Sequence, residues 1–301
     1  MSADLLGRLA QAAAELATIT SNCVPESTLI VSVVNIHHRE LRHLQWQRVK
    51  GQRCLLARAL TVCSGFEDET YGRCIGTQTP YLPSDFRKRD YFELIWLKWK
   101  MLGAVLGACA AALWVDADVL LLRNPFEGLR LSSDVALAYQ SETPHCSARC
   151  TPGCPMNGGV LFASNRTLVQ DILQTWRGEA DARQTLDQRH AEAVLRRRIW
   201  RHRSCALSSS FYVGQCQLWK GWYRSMTNRS APTSRDTQAT LCHAFTFHTC
   251  GVGTANAKRE LMQATLNGMA RCSAATLNTW AQQRHAPAPP RRRGSILNIQ
   301  Y

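Results

Sequence analysis

Leu5, Leu6, Leu9, Ala12, Ala13, Leu16 and Ala17 recur three and four residues apart, which predicts an amphipathic helix at the start of the chain, packed by one face on the domain. The pattern then changes. Thr28 to Asn35 (TLIVSVVN) is a continuous β-branched run of the kind buried in a parallel sheet, and Leu41 to Gln52 reads as the helix crossing back over it. Arg53 to Leu60 is expected to form a second strand. Gly65 to Asp85, with its glycines, prolines and acids, is expected to be an irregular loop over the sheet. Tyr91 to Gly107 predicts a long helix, apolar at Phe92, Ile95, Trp99, Leu102 and Leu106 with Lys98 and Lys100 interleaved. Ala111 to Val115 is a short apolar strand that delivers Asp116 at its carboxyl end. Asp134 to Tyr139 and Gly159 to Ala163 predict further strands, and Leu168 to Trp176 and Asp187 to Trp200 further helices.

Strands alternating with helices predict an α/β fold: one mainly parallel sheet with helices on both faces and a ligand site at the carboxyl ends of its strands. The expected division is a helix over residues 1–27 packed on the domain, a single domain over 28–284, and a basic, proline- and arginine-rich tail over 285–301.

Two carboxylates, Asp116 and Asp118, interrupt the run Leu113-Trp-Val-Asp-Ala-Asp-Val-Leu-Leu-Leu122 where the apolar strand gives way to a turn. Acids in such surroundings cost free energy unless something offsets their charge. A hard divalent cation does so directly, taking one or two protein carboxylates and filling its other positions with substrate phosphate oxygens. The plain alternative is a pair of acids capping a strand end or facing arginines. A third reading is a haloacid-dehalogenase-like phosphohydrolase, in which the first Asp is a nucleophile and the pattern continues into Thr or Val. Leu120 stands at that position here, and no partner motif lies downstream.

Composition narrows the partners. Thirty-six basic against 22 acidic residues give a formal charge of +14, which favours anionic ligands. No nucleic-acid-binding motif or aromatic-basic repeat accompanies it, so a nucleic-acid partner is not expected. Thirteen cysteines, spread from Cys23 to Cys272, predict disulfides made in an oxidising, secretory compartment, with at least one thiol left over. The glycosylation sequons at Asn165 and Asn228 agree with that location. No stretch approaches the roughly 20 apolar residues of a membrane span, and the first 22 residues lack a signal-peptide pattern. A Golgi-lumenal role would therefore need an anchor that this chain does not carry. His145, Cys146, Cys150 and Cys154 lack the tight spacing of a zinc knuckle and read as disulfides or loop thiols.

In their order, these motifs resemble the nucleotide-diphospho-sugar transferase family of plants and algae, retaining glycosyltransferases of the GT-A fold that include cell-wall arabinosyl- and xylosyltransferase-like members. The resemblance runs from about Thr28 to Gly268. It rests on the helix Tyr91 to Lys98, the segment Asp116-Ala-Asp118 to Pro125-Phe126, Met156-Asn157-Gly-Gly159 to Asn165, the pair Asp187-Gln188, Cys242-His243 to His248, and the later Gly253 and Lys258. It implies an enzyme that moves a sugar from a nucleoside-diphosphate donor, expected to be UDP-linked, to a hydroxyl of a glycan or glycoprotein acceptor. Mn²⁺ or Mg²⁺ would be held by Asp116, Asp118 and His243, with His248 as the competing ligand. Lys258 would neutralise the diphosphate, Asn35 and Lys98 would contact nucleotide or phosphate, and Asn157 and Gly159 would approach the sugar. Asp187 and Gln188 would bind the donor sugar or stabilise its cationic transition state. Each has a plain structural reading beside it: a strand-terminal Asn, a β-turn, an N-cap pair, an exposed lysine. Ala59-Leu60-Thr61 departs from the family's Ala-Leu-Asp pattern, and Cys109 stands where a glycine usually precedes the metal strand. A protein that keeps the fold and the nucleotide pocket without turnover is the alternative function.

Overall fold

The computed structural model describes residues 3–19, 28–35, 38–64, 66, 68–77, 89–127, 129, 134–141, 154–178, 187–201, 203–209, 211–214, 241–250, 254–269 and 272. The opening helix, α1 (Ala3–Ile19), buries Leu5, Leu9, Ala12, Ala13 and Leu16 in the main core, the stripe that its spacing predicts. β1 (Thr28–Asn35) comes next, then α2 (Arg39–Trp46), α3 (Arg53–Ala57), β2 (Ala59–Ser64) and β3 (Arg73–Thr77). The long helix α4 (Arg89–Val105) leads into β4 (Ala111–Val115) and β5 (Val119–Leu121). After a 3₁₀ turn at Pro125–Glu127 come β6 (Leu137–Ser141), β7 (Met156–Ala163), α5 (Arg166–Gly178), α6 (Asp187–Leu195), α7 (Arg198–Arg201), β8 (Ser204–Ala206), β9 (Tyr212–Gly214), β10 (Thr246–His248) and α8 (Ala255–Met269).

Two sheets result. The larger has seven strands in the order β3-β2-β1-β4-β7-β6-β8, and the smaller is β5-β10-β9. β3, β2, β1 and β4 run parallel, β7 runs antiparallel between β4 and β6, and β8 is parallel to β6. Residues of α1, α4, α5 and α6 share one apolar cluster with the sheet, and residues of α2, α3 and the small sheet share a second, so the sheet is covered on both faces. This is the single mostly parallel α/β domain expected from the alternation of elements.

Three expectations fail. Arg53–Ala57 is a helix rather than the start of a strand: Leu55 is buried beneath it, and the strand begins at Ala59. Within the expected irregular loop of residues 65–85 lies β3, an edge strand in register with β2 and joined to it by the Cys63–Cys74 disulfide. The Gly72 backbone has φ 90°, and a Cβ there would meet the Ala59 Cβ at 2.4 Å, so a glycine is required where the chain turns into β3. The helix expected from Asp187 to Trp200 is broken into α6 and α7.

Eight of the nine described cysteines are disulfide-bonded, including Cys154, Cys63–Cys74 and Cys242–Cys272, and Cys109 is the free thiol among them. No helix among the described residues is long and apolar enough to cross a membrane. The expected tail at 285–301, Cys146, Cys150 and Gly253 lie outside the described residues.

Candidate active site

β4 is apolar and fully buried, and it ends where the chain crosses from the large sheet to the small one. Asp116 is the first residue past it: its N–H donates to the Gly159 carbonyl at 2.9 Å, continuing the β4–β7 pairing. Two residues on, Asp118 leads into β5, whose Val119 pairs with His248 of β10. The Asp118 carbonyl accepts from the Thr249 N–H and from Thr249 Oγ1, each at 3.1 Å. The two aspartates thus stand one on each side of the junction between sheets, brought together by a single intervening alanine.

The side chains converge. Carboxylate oxygens of Asp116 and Asp118 and a ring nitrogen of His248 all lie within 4.8 Å of one another. His248 Nε2 is 3.4 Å from Asp118 Oδ1, and Lys258 Nζ, carried by α8, is 2.6 Å from Asp118 Oδ2. Asp118 is 7% exposed, and that burial alone would push its carboxyl up. His248, in its charged form, and Lys258 outweigh it and hold the group well below the usual carboxylate range. Lys258 is correspondingly raised: burial opposes its charge, and Asp118, with Asp116 behind it, overcomes that. Asp116 is oriented by Trp114, whose Nε1 donates to Oδ1 at 2.6 Å, while Gln45 Nε2 donates to its carbonyl at 2.8 Å.

A second group adjoins the first. Lys98 on α4 is 5% exposed, and its Nζ donates to the Gly158 carbonyl at 2.9 Å and lies 3.4 Å from Asp187 Oδ2 and 4.0 Å from Asp116 Oδ1. Asp187 opens α6, buried, and accepts at Oδ2 from Trp99 Nε1 at 2.9 Å. Gln188, next along α6, is half-buried, and its amide nitrogen is 3.3 Å from where a Gly158 Cβ would be. Asn157 turns back on its own strand, accepting at Oδ1 from the Gly159 N–H at 2.9 Å. Gly159 itself faces the imidazole: a Cβ there would lie 2.2 to 2.8 Å from three ring atoms of His248.

The structure therefore brings together Asp116, Asp118, Lys98, Asn157, Gly159, Asp187, Gln188 and Lys258. It does not bring His243 to the carboxylates. That residue sits in a helical turn at 241–243, half-buried, with its pKa lowered by burial and by Arg123, and its Nδ1 has no hydrogen-bond partner. His248, at the end of β10, takes the place among the metal-capable groups. Asn35 ends β1, paired in register with Ser64 of β2. Sequence alone assigns no site role to Trp99, Trp114, Gln140 or Thr249. The signal available for Gln140 was a polar residue extending an apolar strand.

Two carboxylates and an imidazole suit Mn²⁺ or Mg²⁺, since hard oxygens dominate and imidazole is acceptable to Mn²⁺. The fit is supported by the space that Gly159 leaves for the third ligand's ring.

The chain belongs to the nucleotide-diphospho-sugar transferase family, whose sequence model matches residues 52–251. No curated protein matches the sequence. Solved structures similar to the chain include the galactosyltransferase LgtC in complex with donor and acceptor sugar analogues, 15% identical over 79% of this chain and 95% of that one, TM-score 0.47. A glycosyltransferase involved in glycosylation of the major capsid of PBCV-1 is 13% identical over 78% and 98%, TM-score 0.47. Apo mouse xyloside xylosyltransferase 1 is 11% identical over 76% and 100%, TM-score 0.44.

Proposed function

We propose that this chain is a metal-dependent glycosyltransferase that moves a sugar from a nucleoside diphosphate, UDP in particular, to a hydroxyl of a glycan or glycoprotein acceptor, with retention of configuration. The observation that carries the reading is the meeting of Asp116, Asp118 and His248 within 4.8 Å, flanked by the ammonium groups of Lys258 and Lys98. Asp116, Asp118 and His248 would hold Mn²⁺ or Mg²⁺, which when bound supplies positive charge to the diphosphate oxygens.

The chain's own groups address the remaining electrostatics. Sugar departure leaves negative charge on the diphosphate, and fixed positive groups aimed at it give the largest stabilisation in such sites. Lys258 is mounted on α8, beside the carboxylates, and its burial strengthens its field. Beside them, Asp187 Oδ2 is held by Trp99 Nε1 and Lys98 Nζ, and Gln188 faces Gly158. Asp187 and Gln188 are assigned to the donor sugar and its cationic transition state, Lys258 and Lys98 to phosphate, and Asn35 to the nucleotide. No nucleophile is assigned. The disulfides support work in an oxidising compartment, the Golgi lumen or secretory pathway.

A screen of UDP-sugars with Mn²⁺ for released UDP tests the proposal. Release by the wild type is expected, abolished by chelation and reduced at least a hundredfold in Asp116→Ala and Asp118→Ala, on the order of what losing one preorganised charged contact costs. UDP binding without release from any donor would favour the non-catalytic binding protein, and no Mn²⁺-dependent binding at all would sink both readings.

A further inference from the structure

We infer that Gln140 is the residue that makes His248 a metal ligand, by fixing the tautomer and tilt of its ring. The inference rests on the proposed metal site and concerns a residue outside the ligand set. Gln140 lies on β6, fully buried, in a strand that otherwise reads Leu-Ala-Tyr and Ser. A primary amide in such a place must have its partners, and this one has two. Its Nε2 donates to the Tyr212 carbonyl at 3.1 Å, and its Oε1 lies 2.9 Å from His248 Nδ1.

The orientation of the amide is settled by chemistry. A carbonyl oxygen such as that of Tyr212 can only accept, so the NH₂ end of Gln140 must face it and the oxygen end must face the imidazole. An amide oxygen can only accept as well. Nδ1 of His248 therefore carries the proton, and in the neutral ring Nε2 is left with its lone pair. That lone pair looks toward Asp118 Oδ1, 3.4 Å away. Lone pair against carboxylate is repulsive with nothing between them and attractive with a cation there. A hydrogen bond from the second ring nitrogen is how protein sites orient a ligating histidine and raise its basicity.

Gln140 also joins the two sheets. β6 belongs to the large sheet, whereas Tyr212 and His248 belong to β9 and β10 of the small one. Tyr212 Oη continues the chain of contacts, donating to the Pro125 carbonyl at 2.7 Å just beyond β5. The amide thus sets the position of β10 relative to the strand that carries Asp116, while the missing side chain of Gly159 leaves the ring its place.

The experiment titrates Mn²⁺ into wild type, Gln140→Met and His248→Ala, following free Mn²⁺ by electron paramagnetic resonance, with thermal melts alongside. Gln140→Met keeps the volume and removes both hydrogen bonds. Its Mn²⁺ affinity is expected to fall roughly 10- to 100-fold, the usual cost of losing such an outer contact, while His248→Ala loses more. An unchanged affinity in folded Gln140→Met, beside a loss in His248→Ala, overturns the inference. Long-range ¹H–¹⁵N spectra of the metal-free wild type, at a pH where the ring is neutral, give the second reading. The Nδ1–H tautomer is expected, and the Nε2–H tautomer overturns the role of Gln140 whatever the variant does. If the wild type binds no Mn²⁺, the metal reading fails, and the spectrum still decides the tautomer.

Discussion

Gly159 and Gly158 are adjacent in β7, yet a methyl group at each would have different consequences. At Gly159 the added carbon meets the imidazole of His248, a ring pinned by Gln140 and unable to retreat. At Gly158 it meets Lys98 Nζ at 2.5 Å, an ammonium held by the Gly158 carbonyl and Asp187 but carried at the end of a long side chain with more room to adjust than a ring. Gly159→Ala is expected to lower transferase turnover by about a hundredfold or more, since displacing a catalytic group by about 1 Å can cost that much, and Gly158→Ala far less. Equal turnover in the two variants, measured as UDP release with Mn²⁺, would contradict the steric argument. This division was not legible in Asn-Gly-Gly, where either glycine reads as a turn. The choice between His243 and His248 was equally closed, because it depends on where β10 begins. With the strand starting at Thr246, His248 ends it opposite Val119, one residue from Asp118. The aspartates were legible because acids at the end of a buried apolar strand require an explanation in charge.

At the scale of elements, legibility tracked burial. The buried strands β1 and β4 and the helices α1 and α4 announced themselves by run and period, because packing against a sheet demands a continuous apolar face. β3 did not, since an edge strand needs few apolar residues and this one is tied to its neighbour by Cys63–Cys74. α3 is too short for its sequence to tell helix from strand, because five residues hold too little periodicity to decide. A further tie, Cys242–Cys272, joins the turn before β10 to a residue just past α8, closing a sequence separation of 30. It therefore fixes the helix that carries Lys258 beside the strand that carries His248. Replacing both cysteines by serine is expected to cost about 3 to 4 kcal/mol of stability by denaturant titration, from loop-closure entropy. A cost below about 1 kcal/mol would mean that the packing of α8 through Leu261, Met262 and Leu266 suffices to hold it.

The whole molecule carries a formal +14, a field suited to drawing in a nucleoside diphosphate. Its response to alkali is set by buried acids that resist ionisation. Burial pushes the Cys109 thiol up from 9.0 to about 11, and burial with the nearby Glu192 pushes Tyr139 from 10.0 to about 12. Both folded-state values lie above those of the unfolded chain, so the folded protein keeps protons that the unfolded chain releases. Their contribution is full below pH 9 and is lost as pH rises between 9 and 12. Denaturant midpoints taken at pH 8, 10 and 11.5 are expected to fall across that window. A flat profile would show that neither group is shielded as the structure has it.

One alanine, Ala117, is all that separates an aspartate anchored to the seven-stranded sheet from one anchored to the three-stranded sheet. The proposed cation site therefore exists only while the two sheets are docked, and any opening that swings the small sheet outward dissolves it. By mass action, whatever binds there draws the closed form from the ensemble, so on the proposed function a donor-loaded chain is expected to resist proteolytic nicking between its sheets better than an empty one.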